Sequence, residues 1–184
     1  MGFSLYLIHI LGAIFTGLVL RLFSPVPCKE YDYSDIVNSS GLSFSASFTD
    51  AVFSSLKSIL LISAYIIFFS VFVCLLNQFK ILSILAAWIS NLLGLNTETT
   101  AAFLTGIFEM TSGIFALPSS LNKGTAFSLT AFLLGWGGFS VHFQTQSALS
   151  ENKFSFKKYY MGKLLHGAFS LVFALIFSNI LFKN

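Results

Sequence analysis

Charged residues are scarce in this chain of 184 residues. They make up 9% of the sequence, whereas hydrophobic residues make up 55% and aromatic residues 17%. A soluble globular protein carries far more charge than this, so the composition predicts an integral membrane protein. The apolar runs are continuous and do not alternate with polar residues, which is the pattern of membrane helices rather than of a β-barrel. We therefore expect an all-α integral membrane protein with four to six transmembrane helices.

Cysteines and catalytic motifs are also rare. Cys28 and Cys74 lie far apart, form no CxxC pair and predict no disulfide framework. The chain has no nucleophile elbow, HExxH motif, Walker loop or EF-hand pattern. We expect no enzyme activity, no cofactor and no metal site. The net charge of +3 is small and scattered, which argues against binding to nucleic acid.

The apolar runs divide the chain into three parts. Residues 1–23 predict an N-terminal transmembrane helix that is closed by Arg21. Residues 24–47 form a polar linker with two prolines and an acidic group. Residues 48–184 predict one membrane domain. His9 in the first helix is interpreted as a satisfied interior histidine and not as a ligand.

The first half of the membrane domain contains one strong span. Residues 46–57 mix apolar and polar side chains, which predicts a short amphipathic helix at the interface. Residues 58–77 are rich in Ile, Phe and Val and long enough to span a membrane. Residues 81–95 are shorter. They are compatible with a tilted helix, an interfacial helix or a helix packed inside the bundle.

The segment 96–120 contains a carboxylate, Glu109, at the centre of an apolar stretch. A Thr-Ser-Gly sequence follows closely, and Pro118 comes soon after, so the stretch is too interrupted for a clean span of about 20 residues. This pattern predicts a discontinuous helix that breaks after Glu109 and binds a solute. A buried carboxylate bonded to neighbouring hydroxyls in a packed bundle is the alternative. On an uninterrupted helix, one stripe would contain Glu98, Ala102, Thr105, Glu109 and Ser112.

A second unusual segment, 125–147, begins as an ordinary membrane helix and runs into a Gly-Trp-Gly-Gly sequence at 135–138. Glycines here allow a close approach of the backbone to a ligand or to a neighbouring helix. Solute binding and close helix packing are both compatible with this pattern. On a helix, one face would carry Gly135, Gly138, His142 and Gln146, and on an extended segment one face would carry His142, Gln144 and Gln146.

The C-terminal part combines a lysine-rich loop with a last span. Residues 151–163 are interpreted as a surface loop, which the positive-inside rule places in the cytoplasm. Tyr159 and Tyr160 at its end suit the headgroup level. Residues 164–182 predict the last transmembrane helix.

Two sequence runs carry a family resemblance. These runs are GIFEMTSGIFAL at 106–117 and FLLGWGGFSVHFQTQSAL at 132–149. Together they resemble the YlbJ family of sporulation integral membrane proteins, which belongs to the nucleoside-recognition (Gate) group. The resemblance covers about residue 44 to the C-terminus, and it matches mainly the C-terminal half of such proteins. It implies one Gate-type repeat, in which re-entrant hairpins and broken helices meet at the membrane midplane. It also implies export of dipicolinate from the mother cell toward the forespore, by a multi-pass protein of the bacterial cell membrane or of the outer forespore membrane.

The resemblance and the two unusual segments together predict a transporter, or a transporter half, for a small anionic solute. The alternatives are a non-transporting scaffold or regulatory subunit, a truncated Gate protein, and a nucleoside-type permease. The expected partners are the lipid bilayer, the solute and a coupling cation, which Glu109 would bind. The predicted solute-binding residues are Glu109, Thr111, Ser112, Gly113, Gly137, Gly138, Ser140, His142 and Gln144.

Proteins of this family usually carry two inverted repeats, whereas only one set of motifs occurs here. This predicts either a homo-oligomer or a complex with a second homologous half. A truncated product without transport activity is the remaining expectation.

Overall fold

The computed structural model describes residues 2–23, 43–149 and 155–182. These residues form helices and no strands, which confirms the all-α prediction for the described part of the chain. Most of the predicted polar linker lies outside these ranges. The helices are α1 (Gly2–Phe23), α2 (Phe44–Gln78), α3 (Ile81–Leu93), α4 (Thr97–Phe108), α5 (Met110–Phe115), α6 (Lys123–Trp136), α7 (Gly138–Ala148) and α8 (Phe156–Leu181).

Four elements are long and apolar enough to cross a membrane. They are α1, α2, α8 and the segment Lys123–Ala148, which joins α6 to α7. The protein is therefore a multi-pass integral membrane protein, as the composition predicted.

Helix α2 is a single element of 35 residues. The predicted interfacial helix at 46–57 is wrong as a separate element, because no glycine or proline interrupts 44–78 and the helix continues straight into the apolar span. Its length of about 52 Å exceeds the hydrocarbon thickness of about 30 Å, so part of α2 extends beyond the apolar core. Lys80, with a left-handed φ of 59°, turns the chain into α3.

Helix α3 packs beside α4. It buries the stripe Leu82, Ala86 and Ser90 and leaves its other faces exposed. Gly94 ends it in the left-handed region at φ 67°, which lets the chain reverse at once. The Ser90 and Thr97 hydroxyls lie 2.9 Å apart across this turn.

Helix α8 packs against both α6 and α1. A Cβ on Gly135 of α6 would lie 2.8 Å from the Cα of Gly167, so the two backbones are in close contact. The α1 helix runs antiparallel to α8, with Leu20 beside Gly162 at one end and Ile8 in the same apolar cluster as Ala174 further along.

The start of α8 corrects the loop predicted at 151–163. The helix begins at Phe156, so Lys157, Lys158 and Lys163 are helical residues. Nothing in this stretch breaks a helix, and its inner face is held by contacts with α1 and α7.

Candidate solute-binding site

Helices α4 and α5 form a tight hairpin whose turn is Glu109. This residue has extended backbone angles of φ −137° and ψ 106°, so α4 ends at Phe108 and α5 begins at Met110. The chain then folds back so that Gly113 lies directly against α4. A Cβ on Gly113 would collide with the backbone of Gly106 and lie 2.9 Å from the Ala102 carbonyl oxygen. The helix is discontinuous, as predicted, but the break is at Glu109 itself. The Thr-Ser-Gly sequence lies inside α5.

This break corrects the predicted continuous stripe of residues. Ala102, Thr105 and Glu109 are buried on one side of α4, but Glu98 is exposed at its first turn. Ser112 approaches Glu109 from the other arm of the hairpin and not from further along the same helix.

The Glu109 carboxylate caps the second helix of the hairpin. The backbone N–H of Thr111 donates to Oε1 at 3.1 Å, and the N–H of Ser112 donates to Oε2 at 2.6 Å. The side chain is only 3% exposed. The N-terminus of a helix favours negative charge, so this position stabilises a carboxylate that burial alone would disfavour.

The second break separates α6 from α7. Gly137 and Gly138 have φ values of 88° and 74°, in the left-handed region that favours glycine. The break lies near the middle of the candidate span Lys123–Ala148. Among the described residues, no side chain caps the N-terminus of α7. Backbone N–H groups in the first turn of α7 therefore lack an intrahelical acceptor at this depth.

The two breaks are in contact. A Cβ on Gly138 would lie 3.0 Å from the Met110 nitrogen and 3.2 Å from the carbonyl oxygens of Gly106 and Phe108. The Trp136 indole N–H donates to the Ile107 carbonyl at 3.3 Å. The carbonyl end of α4 thus faces the N–H end of α7, and these partial charges attract each other.

His142 lies in α7 and is completely buried. Four aromatic side chains surround its ring, with the Trp136 ring centre at 4.3 Å and the Tyr160 ring centre at 5.0 Å. Phe139 and Tyr159 complete the enclosure. His142 is connected to the other break through Trp136, which also contacts Ile107.

A chain of hydrogen bonds fixes which ring nitrogen of His142 carries the proton. The Thr145 hydroxyl donates to the Val141 carbonyl at 2.9 Å, and Tyr159 donates to Thr145 at 3.2 Å. The proton of Tyr159 is therefore used, so at 3.1 Å its oxygen accepts from His142 Nδ1. In the neutral imidazole, Nε2 is then an acceptor. It is buried and has no hydrogen-bond partner among the described residues.

An open cavity of about 490 Å³ lies beside the hairpin. Thr105 and Ser112 line it, and the backbones of both residues are hydrogen bonded to Glu109. Asn77 of α2 and Glu98 are further polar lining groups. The cavity therefore leads from the exposed start of α4 to the turn of the hairpin.

The structure brings some of the predicted binding residues together. Glu109, Ser112 and Gly138 meet at the contact between the two breaks, and Gly137 adjoins them in sequence. Ser140 is buried on α7, and Gln144 is half-buried further along the same helix. Thr111 contributes its backbone N–H while its side chain is exposed, and Gly113 contacts the α4 backbone.

Trp136, Tyr159 and Lys163 were not predicted as site residues. Tyr159 was predicted to lie at the headgroup level, and the structure adds that its hydroxyl is hydrogen bonded to His142 and Thr145 of α7. The ammonium group of Lys163 lies 3.5 Å from the position that a Cβ on Gly137 would take. Spacing along α8 could have indicated that Tyr159 and Lys163 share one helix face, if the helix had been extended to residue 156. The described residues include no group of three or more potential metal ligands among His, Cys, Asp and Glu.

Comparison with known proteins identifies one informative relative. The chain is 35% identical over 136 residues to the sporulation integral membrane protein YlbJ of Bacillus subtilis (strain 168). The match covers 69% of this chain and 32% of YlbJ, so it corresponds to about a third of that relative's length. No family model matches the chain, and no solved structure matches it significantly.

Proposed function

Since the matched part of this chain is of the YlbJ type, we propose that the protein is a sporulation-associated membrane transporter, or one half of such a transporter, for a small anionic solute such as dipicolinate. The observation that carries the proposal is the contact between two helix breaks, one of which lies near the middle of a membrane span. Unpaired backbone groups are costly in hydrocarbon, and transporters use them where they line a solute site.

The two breaks offer binding groups of opposite kind. The N-terminus of α5 is occupied by the Glu109 carboxylate, whereas the N-terminus of α7 has no side-chain cap. A helix N-terminus favours an anion, so a carboxylate of the solute fits best at α7. The carbonyl end of α4 and Glu109 itself suit a coupling cation or a hydrogen-bond donor.

His142 adds an acceptor to this arrangement. Its Nε2 atom has no donor in the described structure, and an unsatisfied buried acceptor costs about 1 to 3 kcal/mol. A protonated group of the solute or a coupling cation would satisfy it. Because four aromatic rings enclose His142, the ring of Trp136 or Tyr160 would have to move when a solute enters.

The cavity beside the hairpin reaches Thr105 and Ser112, whose backbones are hydrogen bonded to Glu109. Its volume of about 490 Å³ falls within the range of about 300 to 1,000 Å³ that is usual for small-molecule sites. Polar groups occur from its mouth at Glu98 to its inner end at Thr105 and Ser112.

A non-transporting scaffold is the second candidate, and the glycine contacts favour it. Gly113 lies against Gly106, and Gly135 lies against Gly167, so these glycines serve close helix packing. Gly138 is also in contact with backbone atoms, and a leucine at this position would disturb the fold under either function. A test must therefore use a substitution that keeps the packing.

Glu109→Gln is such a substitution, because the amide is nearly isosteric and retains one acceptor oxygen. We expect the wild-type protein in liposomes to move dipicolinate and Glu109→Gln to abolish this movement while membrane insertion is retained. Asp50→Asn, which removes an exposed carboxylate from α2, is the matched control and should transport normally.

Two outcomes would contradict the transporter. Unchanged dipicolinate movement by Glu109→Gln would remove the central role of Glu109. A wild-type protein that moves no dipicolinate, together with normal sporulation of cells that carry Glu109→Gln, would favour the scaffold.

A further inference from the structure

A second pocket lies between α1 and α8 and has a volume of about 330 Å³. Small residues create the depression, namely Ala13 and Gly17 on α1 and Gly162 on α8. Ala13 and Gly17 are exposed, and a Cβ on Gly17 would meet no atom within 4 Å. Both helices are candidate membrane spans, so this pocket is a groove that opens toward the lipid.

The charge in the groove has one sign. Lys158 is exposed and Lys163 is half-buried, and both line it. None of the residues that the structure places around the groove is acidic. Because α1 and α8 are antiparallel, Arg21 in the last turn of α1 lies at the same end of the bundle as the first turn of α8.

The lysines at this end do not stabilise their own helix. The first turn of α8 contains Lys157 and Lys158 and no acidic residue, and no side chain in the described part of the chain caps it. Positive charge at a helix N-terminus is unfavourable. An anion bound in the groove would compensate both the lysines and the helix terminus.

We propose that this groove binds an anionic phospholipid. The phosphate contacts Lys158 and Lys163 at the end of the bundle, and an acyl chain follows the apolar floor from Leu20 to Ala13. The apolar lining favours a lipid over free phosphate, because a soluble ion makes no use of an apolar floor. Basic pockets between membrane helices recognise lipid headgroups in this way.

Native mass spectrometry of the full chain, released from mild detergent with defined lipids, tests the proposal. We expect phosphatidylglycerol to remain bound and phosphatidylcholine to be lost. The double variant Lys158→Gln with Lys163→Gln should weaken phosphatidylglycerol binding by about thirtyfold. Each lysine near a membrane surface contributes about 1 kcal/mol, which changes the affinity by a factor of a little over five.

Two controls separate the groove from general surface charge. Lys57→Gln with Lys123→Gln removes the same charge from exposed positions that do not line the groove, and it should bind the lipid as the wild type does. Gly17→Leu fills the groove without removing charge, and it should lose the lipid. The open space at Gly17 lets the fold persist.

Three results would overturn the proposal. These are equal retention of phosphatidylcholine and phosphatidylglycerol, equal loss of lipid in the two double variants, and unchanged binding by Gly17→Leu. Inorganic phosphate at millimolar concentration should not displace the lipid, and displacement would identify a site for free anions instead.

Discussion

At the scale of single residues, Glu109 and His142 show how buried polar groups are treated in this protein. Glu109 caps a helix and receives two backbone hydrogen bonds. His142 has one ring nitrogen fixed by Tyr159 and the other left without a partner in the described structure. The hydrogen-bonded carboxylate stabilises the fold and keeps further lone pairs, whereas the acceptor nitrogen without a partner is available to a ligand.

Truncation of Glu109 should therefore affect stability as well as transport. Glu109→Ala removes the acceptor of two N–H groups at the start of α5 and should lower the free energy of unfolding by about 1 to 2 kcal/mol. Glu109→Gln keeps one acceptor and should cost less. Unfolding in detergent, followed by circular dichroism, measures both. Equal stability of the alanine variant and the wild type would mean that the cap contributes nothing.

Tyr159→Phe tests the hydrogen-bond chain at His142. The variant leaves Nδ1 without its acceptor and Thr145 without its donor, so we expect a loss of about 1 to 3 kcal/mol in unfolding experiments. Tyr160→Phe is the matched control, because Tyr160 contacts the same imidazole by ring packing. A larger effect at Tyr160 than at Tyr159 would contradict the assigned chain.

At the scale of elements, the α4–α5 hairpin and the α6–α7 break position each other. The hairpin reverses within one residue because glycine at 113 lets its second arm lie directly on the first. The hairpin turn then packs against the left-handed Gly138, so neither break is a free loop. Each interruption is in contact with the other.

A methyl group at position 113 should open this hairpin. Gly113→Ala places a Cβ into the Gly106 backbone, and we expect destabilisation of at least about 1 to 3 kcal/mol, as for overpacked cores. Gly17→Ala adds the same methyl group in open space and should be nearly silent. Thermal unfolding of the two variants in one detergent gives the comparison, and similar melting temperatures would show that the arms are loosely packed.

At the scale of the whole molecule, the exposed polar edge of the hairpin is the main feature. Thr111 is exposed on the second arm of the hairpin, and Glu98 is exposed at the mouth of the cavity beside it. Polar groups that face hydrocarbon cost several kcal/mol each, so burial of this edge against another surface is favourable.

We therefore predict a second copy of this chain, or a homologous half, against the hairpin. Mass measurement after purification in mild detergent should show an oligomer or a co-purified partner. In a homodimer that imitates an inverted repeat, single-cysteine labelling should detect both membrane orientations. A stable monomer with one fixed orientation and no partner would contradict the prediction.

The sequence by itself determined the class of protein, the break near Glu109 to within a few residues, and the Gly-Trp-Gly-Gly sequence as a place of close backbone approach. Composition and apolar run length specify a helical membrane protein. A backbone in hydrocarbon must make all of its hydrogen bonds internally, and a helix does so within one segment. Glu109 and the glycines at 137 and 138 were identifiable because a buried charge and clustered glycines are unusual in a membrane helix.

Only the tertiary structure decided how these parts meet. The break falls at Glu109 because its carboxylate caps α5, and the hairpin reverses because Gly113 finds Gly106 opposite it. Tyr159 contacts the site because α8 already begins at Phe156, so the first turns of α8 pack against α7 and bring the Tyr159 hydroxyl to His142. Such contacts join residues far apart in the chain, and local periodicity carries no information about which of these surfaces face each other.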